Sequence, residues 1–124
     1  MPPTDLVFFV ETDGTVPVLM WLDQLDRPTQ NKFMVRVDRL KQCGHELRRP
    51  EAAHLGDGIY ELRVVHLHVH YRVLYFFHEG RAVLCHGLRK ETEVPAADIA
   101  RAVRRRQDFE NDPDKHTYSE EGRP

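Results

Sequence analysis

No apolar run in this chain approaches the ~20 residues that a helix needs to cross a bilayer, so no membrane span is expected. The opening Met1-Pro-Pro-Thr-Asp5 carries neither a basic nor an apolar stretch. No secretory leader is read there, and a cytoplasmic protein is expected. Cysteine is scarce. Cys43 and Cys85 fit no disulfide or metal-ligand spacing and sit in apolar segments, which is the pattern of buried free thiols in a reducing compartment. No internal repeat is present. Charge of one sign is also lacking: the net charge is −2 over 124 residues, which taken alone argues against a nucleic-acid binder.

The distribution of charge says more than its sum. Residues 59–106 hold 9 Lys/Arg against 5 Asp/Glu, an excess of +4, whereas residues 107–124 hold 2 against 6, or −4. The basic excess coincides with three short β-type segments, Ile59-Tyr-Glu-Leu-Arg-Val-Val65, Tyr71-Arg-Val-Leu-Tyr-Phe-Phe77 and Val83-Leu-Cys-His-Gly-Leu-Arg-Lys90, each with a basic residue among apolar ones. A surface of that charge usually meets phosphate.

The remaining elements follow from periodicity. Residues 6–10 read as a buried strand. Pro17 opens a helix whose apolar stripe is Val18, Trp21, Leu22 and Leu25. A second helix carries Phe33, Val37 and Leu40 inside and Lys32, Arg36 and Arg39 outside, and Gly44 stops it. Residues 45–58, with Pro50 and Gly56-Asp-Gly58, read as a loop. Glu79-Gly80 is the tight turn between the last two strands. Pro95 begins a final helix with Ala96, Ile99, Ala100 and Val103 inside and Arg101, Arg104, Arg105 and Arg106 outside. The order is β-α-α-β-β-β-α: an α+β fold with a small, mainly antiparallel sheet and its helices on one face. One domain over residues 1–110 is expected, followed by an acidic, mobile tail at 111–124.

Strand alternation then assigns faces. Arg63, Arg72 and Arg89 fall together on the face opposite the helices, beside the small Cys85 and Gly87, which would leave a hollow, with Lys90 at the rim. A one-residue slip would reverse this arrangement. Arginine suits a phosphate clamp because its fork binds phosphate bidentately, yet it stays protonated and makes a poor base. Lys90 and His70 are the candidates for acid or base. Arg101 and Arg105 would extend a phosphate-binding track. His66, His68 and His70 with His86 imitate a zinc set, but no cysteine or carboxylate completes it. No metal and no other cofactor are expected.

With these residues in view, the chain resembles the RelE/ParE superfamily of type II toxin–antitoxin toxins, most closely its HigB-type, phage-derived branch. The resemblance is carried by Leu55-Gly-Asp-Gly-Ile-Tyr-Glu-Leu-Arg63, Tyr71-Arg-Val-Leu-Tyr-Phe-Phe77, His86-Gly-Leu-Arg-Lys90 and the helix after Pro95, over roughly residues 6–109. It implies a RelE-like fold and a metal-independent endoribonuclease (an mRNA interferase) that cuts mRNA on the ribosome and inhibits translation. It also implies a cognate helix-turn-helix antitoxin as partner. Arg63, Arg72 and the Arg89-Lys90 pair then correspond to the family's catalytic and RNA-binding positions. Glu91 and Glu93 stand where that branch often has basic or polar residues. Two alternatives share the fold: a non-catalytic gyrase poison of the ParE type, and an inactive member that binds a partner.

Overall fold

The computed structural model describes residues 4–118. Strand β1 (Asp5–Phe9) leads into α1 (Pro17–Asp23) and α2 (Arg27–Cys43), then a 3-10 turn at Gly44–Glu46. Four strands follow: β2 (Ala52–Gly56), β3 (Ile59–His66), β4 (Val69–His78) and β5 (Arg81–Arg89). The chain continues through α3 (Ala96–Asn111), the single turn α4 (Pro113–His116) and β6 (Thr117–Tyr118). The six strands lie in the order β2-β3-β4-β5-β1-β6, antiparallel except for the β1–β5 pair. The α+β fold class and mainly antiparallel sheet read from the sequence are what the chain adopts. Among the described residues no helix is long and apolar enough to cross a membrane.

Local chemistry sets the element ends. Asp26 caps α2 by accepting from Thr29 N at 2.9 Å, with Pro28 in the first turn. Glu79 and Gly80 both take positive φ, 49° and 81°, as a two-residue hairpin loop of the favoured twist requires.

Three sequence expectations are corrected. First, the helices do not share one face. α1 and α2 cover a core of Phe33, Val37, Leu40, Leu62, Val73, Tyr75 and Leu84. α3 covers the opposite face through Ile59, Leu74, Phe76, Val83, Ala102 and Phe109. The physical reason is β4, whose Val73-Leu-Tyr-Phe76 run is apolar on both faces and must be buried on both. Second, the segment read as a loop contains β2. It pairs with β3 (Ala52↔Leu62, His54↔Tyr60) despite the preceding Pro50 and its own terminal Gly56. Third, the expected mobile tail is placed as far as Tyr118. β6 pairs with β1, His116 stacks on Phe9 at 5.0 Å, and its Nδ1 lies 2.8 Å from Val10 O. Residues 119–124 of that expected tail lie outside the described residues.

Gly87 is needed where it stands. Its ideal Cβ would fall inside the ring of Trp21, which lies over it from α1 and also packs edge-on against Phe33. Gly87→Ala should therefore cost about 1–3 kcal/mol through overpacking, read as a lower urea midpoint with an unchanged slope. A midpoint within error of the parent would remove this account of the α1 contact.

Candidate functional site

β3 and β4 are antiparallel with Arg63 directly opposite Arg72, so the two guanidinium stems leave the same face of the sheet. Like charges opposed in this way are unfavourable unless a counter-charge is built in. Glu61, two residues before Arg63 and on the same face, supplies it. Its side chain is 1% exposed. One carboxylate oxygen accepts from Arg63 Nε, and both oxygens lie within reach of Arg72 Nη1, at 3.3 and 3.2 Å. Arg72 is itself buried, with 9% of its side chain exposed, whereas Arg63 keeps 30%. Arg72 was expected as an open clamp. It is instead half of an internal ion pair, and Arg63 is the more accessible of the two.

The pair lines two adjoining clefts. One, of about 380 Å³, is bounded by Arg36, Pro50, Val64, Val65, His70 and Tyr71 together with Arg63 and Arg72. The other, of about 460 Å³, adds Arg49, His54, Glu91, Thr92 and Glu93 around Glu61 and the same two arginines. Arg63, Arg72 and His70 are thus brought together as the sequence suggested. His70 stands on the same face as Arg72, while His66, paired with Val69, projects from the other. A single ion at these histidines is therefore not assembled.

Arg89 is not part of the group. The β4–β5 pairing shifts register between Leu74 and Tyr75, so that Leu74 faces His86, Arg72 faces Leu88 and Tyr71 faces Arg89. The extra residue, Cys85, reverses the alternation beyond it. His86 and Leu88 join the face of Arg72, and Gly87 and Arg89 go to the face of Trp21. The hollow expected at Cys85 and Gly87 is filled, because Cys85 is buried in the α3 core and Trp21 covers Gly87. Burial pushes the Cys85 thiol up to about 12, so it is inert. Lys90 is exposed just past the strand, and its N–H donates to His70 O at 3.0 Å, which places its backbone at the same end of the sheet as His70.

Arg101 and Arg105 lie elsewhere, in a third cleft of about 320 Å³ with Glu11, Trp21, Gln24 and His86. Arg101 is exposed, but Arg105, expected on the outer face, is buried. Its Nη1 donates to Cys85 O at 2.7 Å and to His86 Nδ1 at 3.3 Å, and its Nη2 lies 3.6 Å from Glu11. Since arginine only donates, His86 Nδ1 is the acceptor and its Nε2–H is aimed at Asp98 Oδ1, 2.7 Å away. This network ties α3 to β5, and burial keeps Arg105 away from an RNA track. Burial holds the His86 imidazole below its ordinary value. The Asp98 hydrogen bond opposes that shift, and the Arg105 and Arg101 charges reinforce it.

Sequence reading passed over four contributors. Glu61 was given no place in the site. Arg36 was assigned to the solvent side of α2, and Arg49 and His54 to a loop. The pairing of β2 with β3 is what moves the last two into the site.

A scan against protein families matches residues 20–107 to the family described as "Phage derived protein Gp49-like (DUF891)". No curated protein matches the chain. The matched span covers most of the sequence, including α2, all of β2 to β5 and most of α3. The chain belongs to this family, which is a family of RelE/toxin-like proteins.

The His86 arrangement has a definite pH signature. Its folded-state pKa is depressed, so the unfolded chain binds the proton more readily. The stability it contributes is complete above about pH 6.5, the unperturbed histidine value, and is lost as pH falls through the folded value. In urea titrations from pH 8 to pH 5, the parent should lose more stability than His86→Gln. Parallel profiles for the two would show that His86 titrates freely.

Proposed function

We propose that this phage-derived, toxin-like protein is the toxin of a type II toxin–antitoxin module. On this reading it is a metal-independent mRNA endoribonuclease of the HigB-type branch, acting on the ribosome and inhibiting translation. The observation that carries it is the Arg63–Arg72 pair on the neighbouring antiparallel strands β3 and β4, set beside His70 and opening onto two clefts.

RNA supplies its own nucleophile. The 2′-OH attacks the adjacent phosphorus, its proton leaves to a base, and the P–O5′ bond breaks as that oxygen takes up a proton. The products are a 2′,3′-cyclic phosphate and a 5′-hydroxyl. The enzyme must hold the in-line geometry and neutralise charge on the phosphoryl oxygens. Arg63 is cast as the clamp on the reacting phosphate. Arg72 contributes its charge from beneath and, through Glu61, fixes the orientation of Arg63. His70 and Lys90 are the proton carriers of this reading, with His70 favoured because it lines the cleft with both arginines. Arg89 and Arg101, exposed at separate places, would touch more distant parts of the RNA or the ribosome. The partner proposed is a helix-turn-helix antitoxin. A second reading, an inactive member that binds a partner, is favoured by one observation: Glu91 and Glu93 line a cleft with Arg63 and cancel much of its charge.

Expression of the chain alone should arrest growth, with protein synthesis falling before DNA synthesis in pulse labelling. Arg63→Ala should lower mRNA cleavage about a hundredfold and relieve the arrest, as expected for one lost charge-assisted contact to the developing negative charge. Arg81→Ala, at the far end of β5, should arrest growth like the parent. DNA synthesis falling first would point to gyrase instead, and a folded, fully toxic Arg63→Ala would remove the site.

A further inference from the structure

β1 and β5 are parallel neighbours, and the chain leaves them toward opposite faces of the sheet. β1 leads to α1, on the face of Phe33, and β5 leads to α3, on the face of Phe109. Where the connections from adjacent parallel strands part in this way, a crevice opens beyond the carboxyl ends of the strands, and open α/β sheets take their ligands there. The third cleft stands at this point. Its walls include Glu11 just past β1, Gly87 near the end of β5, Met20 and Trp21 of α1, and Arg101 and Arg105 of α3. Its volume of about 320 Å³ is at the lower end of the range for small-ligand pockets.

The polar groups of this crevice are short of partners. Arg104 and Arg105 stand 3.7 and 3.6 Å from Glu11, beyond hydrogen-bond reach, and the carboxylate accepts no hydrogen bond among the described residues. Arg105 is nine-tenths buried, yet its Nε has no acceptor. Arg101 is exposed and makes no hydrogen bond or ion pair among those residues. Enclosed polar groups normally have partners, and a ligand supplies them here. The walls are balanced in charge, Glu11 and Asp13 against Arg101 and Arg105, so they select a neutral group with both donors and acceptors. Met20, 57% exposed, and the half-buried Trp21 add an apolar surface for a flat ring.

We infer that this crevice binds a guanine base. Among the bases of RNA, guanine offers a carboxylate two adjacent donors, N1–H and N2–H, and an ionised carboxylate only accepts. Its O6 and N7 accept the bidentate fork of an arginine. Glu11 takes the donor edge and Arg101 the acceptor edge, with the ring against Trp21 and Met20. Arg105 stays behind Glu11 as its counter-charge. A guanine in an RNA strand and one in a free nucleotide present the same edges. The strand as source rests on the ribonuclease reading, and the base site does not.

Trp21 is the chain's one tryptophan, so its fluorescence reports this crevice. The full chain is titrated with guanosine, inosine and adenosine 5′-monophosphates. Inosine lacks the N2 amino group, and adenosine sets an acceptor, N1, against the carboxylate. The guanosine nucleotide should change the emission saturably, and the other two should bind about tenfold more weakly. Glu11→Gln should bring guanosine and inosine nucleotides level, whereas a merely structural loss would weaken both alike. Arg101→Met, which removes no contact of the fold, should weaken guanosine binding about tenfold. Lys41→Gln, exposed on α2, should bind like the parent. A 2′-O-methyl oligoadenylate carrying one guanine separates the sources: tighter binding than the mononucleotide assigns a strand, and equal binding a free nucleotide. Equal affinity for guanosine and adenosine nucleotides, no saturable change up to about 10 mM, or a folded Arg101→Met that binds like the parent overturns the site. Guanine binding by a chain that cuts no RNA keeps the crevice and loses the nuclease reading. RNA cleavage by a chain whose Trp21 emission ignores the guanosine nucleotide does the reverse.

Discussion

The structure depends on one buried carboxylate. Glu61 sits on β3, one strand in from the sheet edge, with 1% of its side chain exposed, where an unpaired charge would be severely unfavourable. It is tolerated because Arg63 lies two residues along the same strand and Arg72 directly across from Arg63. The same carboxylate makes the opposed arginines tolerable. The three residues are mutually necessary: the arginines solvate the acid, and the acid aims the arginines. A buried ion pair of this kind does not by itself add stability over a well-packed apolar trio. What it supplies is geometry: it leaves guanidinium edges of Arg63 and Arg72 unpaired beside the clefts they line.

The register that creates this arrangement is set at a distance. Trp21 pressed onto Gly87 fixes β5 against α1, and the extra residue at Cys85 turns His86 and Leu88 to the face of Arg72 while sending Arg89 away from it. α3 then buries Leu74, Phe76 and Val83 on the Arg72 face. The Arg63–Arg72 cleft lies at the margin of that cover, with Ile99 of α3 in its wall.

Much of this was legible in the sequence, and the failures have physical causes. Period-2 alternation placed Arg63 and Arg72 on one face correctly, because β3 and β4 pair without irregularity. It misplaced Arg89, because a β-bulge has no sequence mark as plain as a proline or a turn dipeptide. Helical periodicity found α1, α2 and α3, but not which side of Arg105 was inside. That depends on Glu11 and His86, residues far away in the chain. β2 was hidden by the preceding Pro50 and its terminal Gly56, and with it the contributions of Arg49 and His54. Arg36 illustrates a general limit. From the α2 pattern it is a solvent residue, yet its length lets it reach across to Arg63 O at the sheet edge.

The account stands or falls on the coupling between Glu61 and Arg72, and a double-mutant cycle measures it. Stability of the parent, Glu61→Leu, Arg72→Met and the double variant would be taken from urea unfolding at pH 7. Each single change should cost on the order of 3–5 kcal/mol by leaving a buried charge short of its partner. The double variant should recover at least about 2 kcal/mol relative to the sum of the singles. Additive losses, or single variants within about 0.5 kcal/mol of the parent, would mean that the buried pair is not what holds the arginines in place.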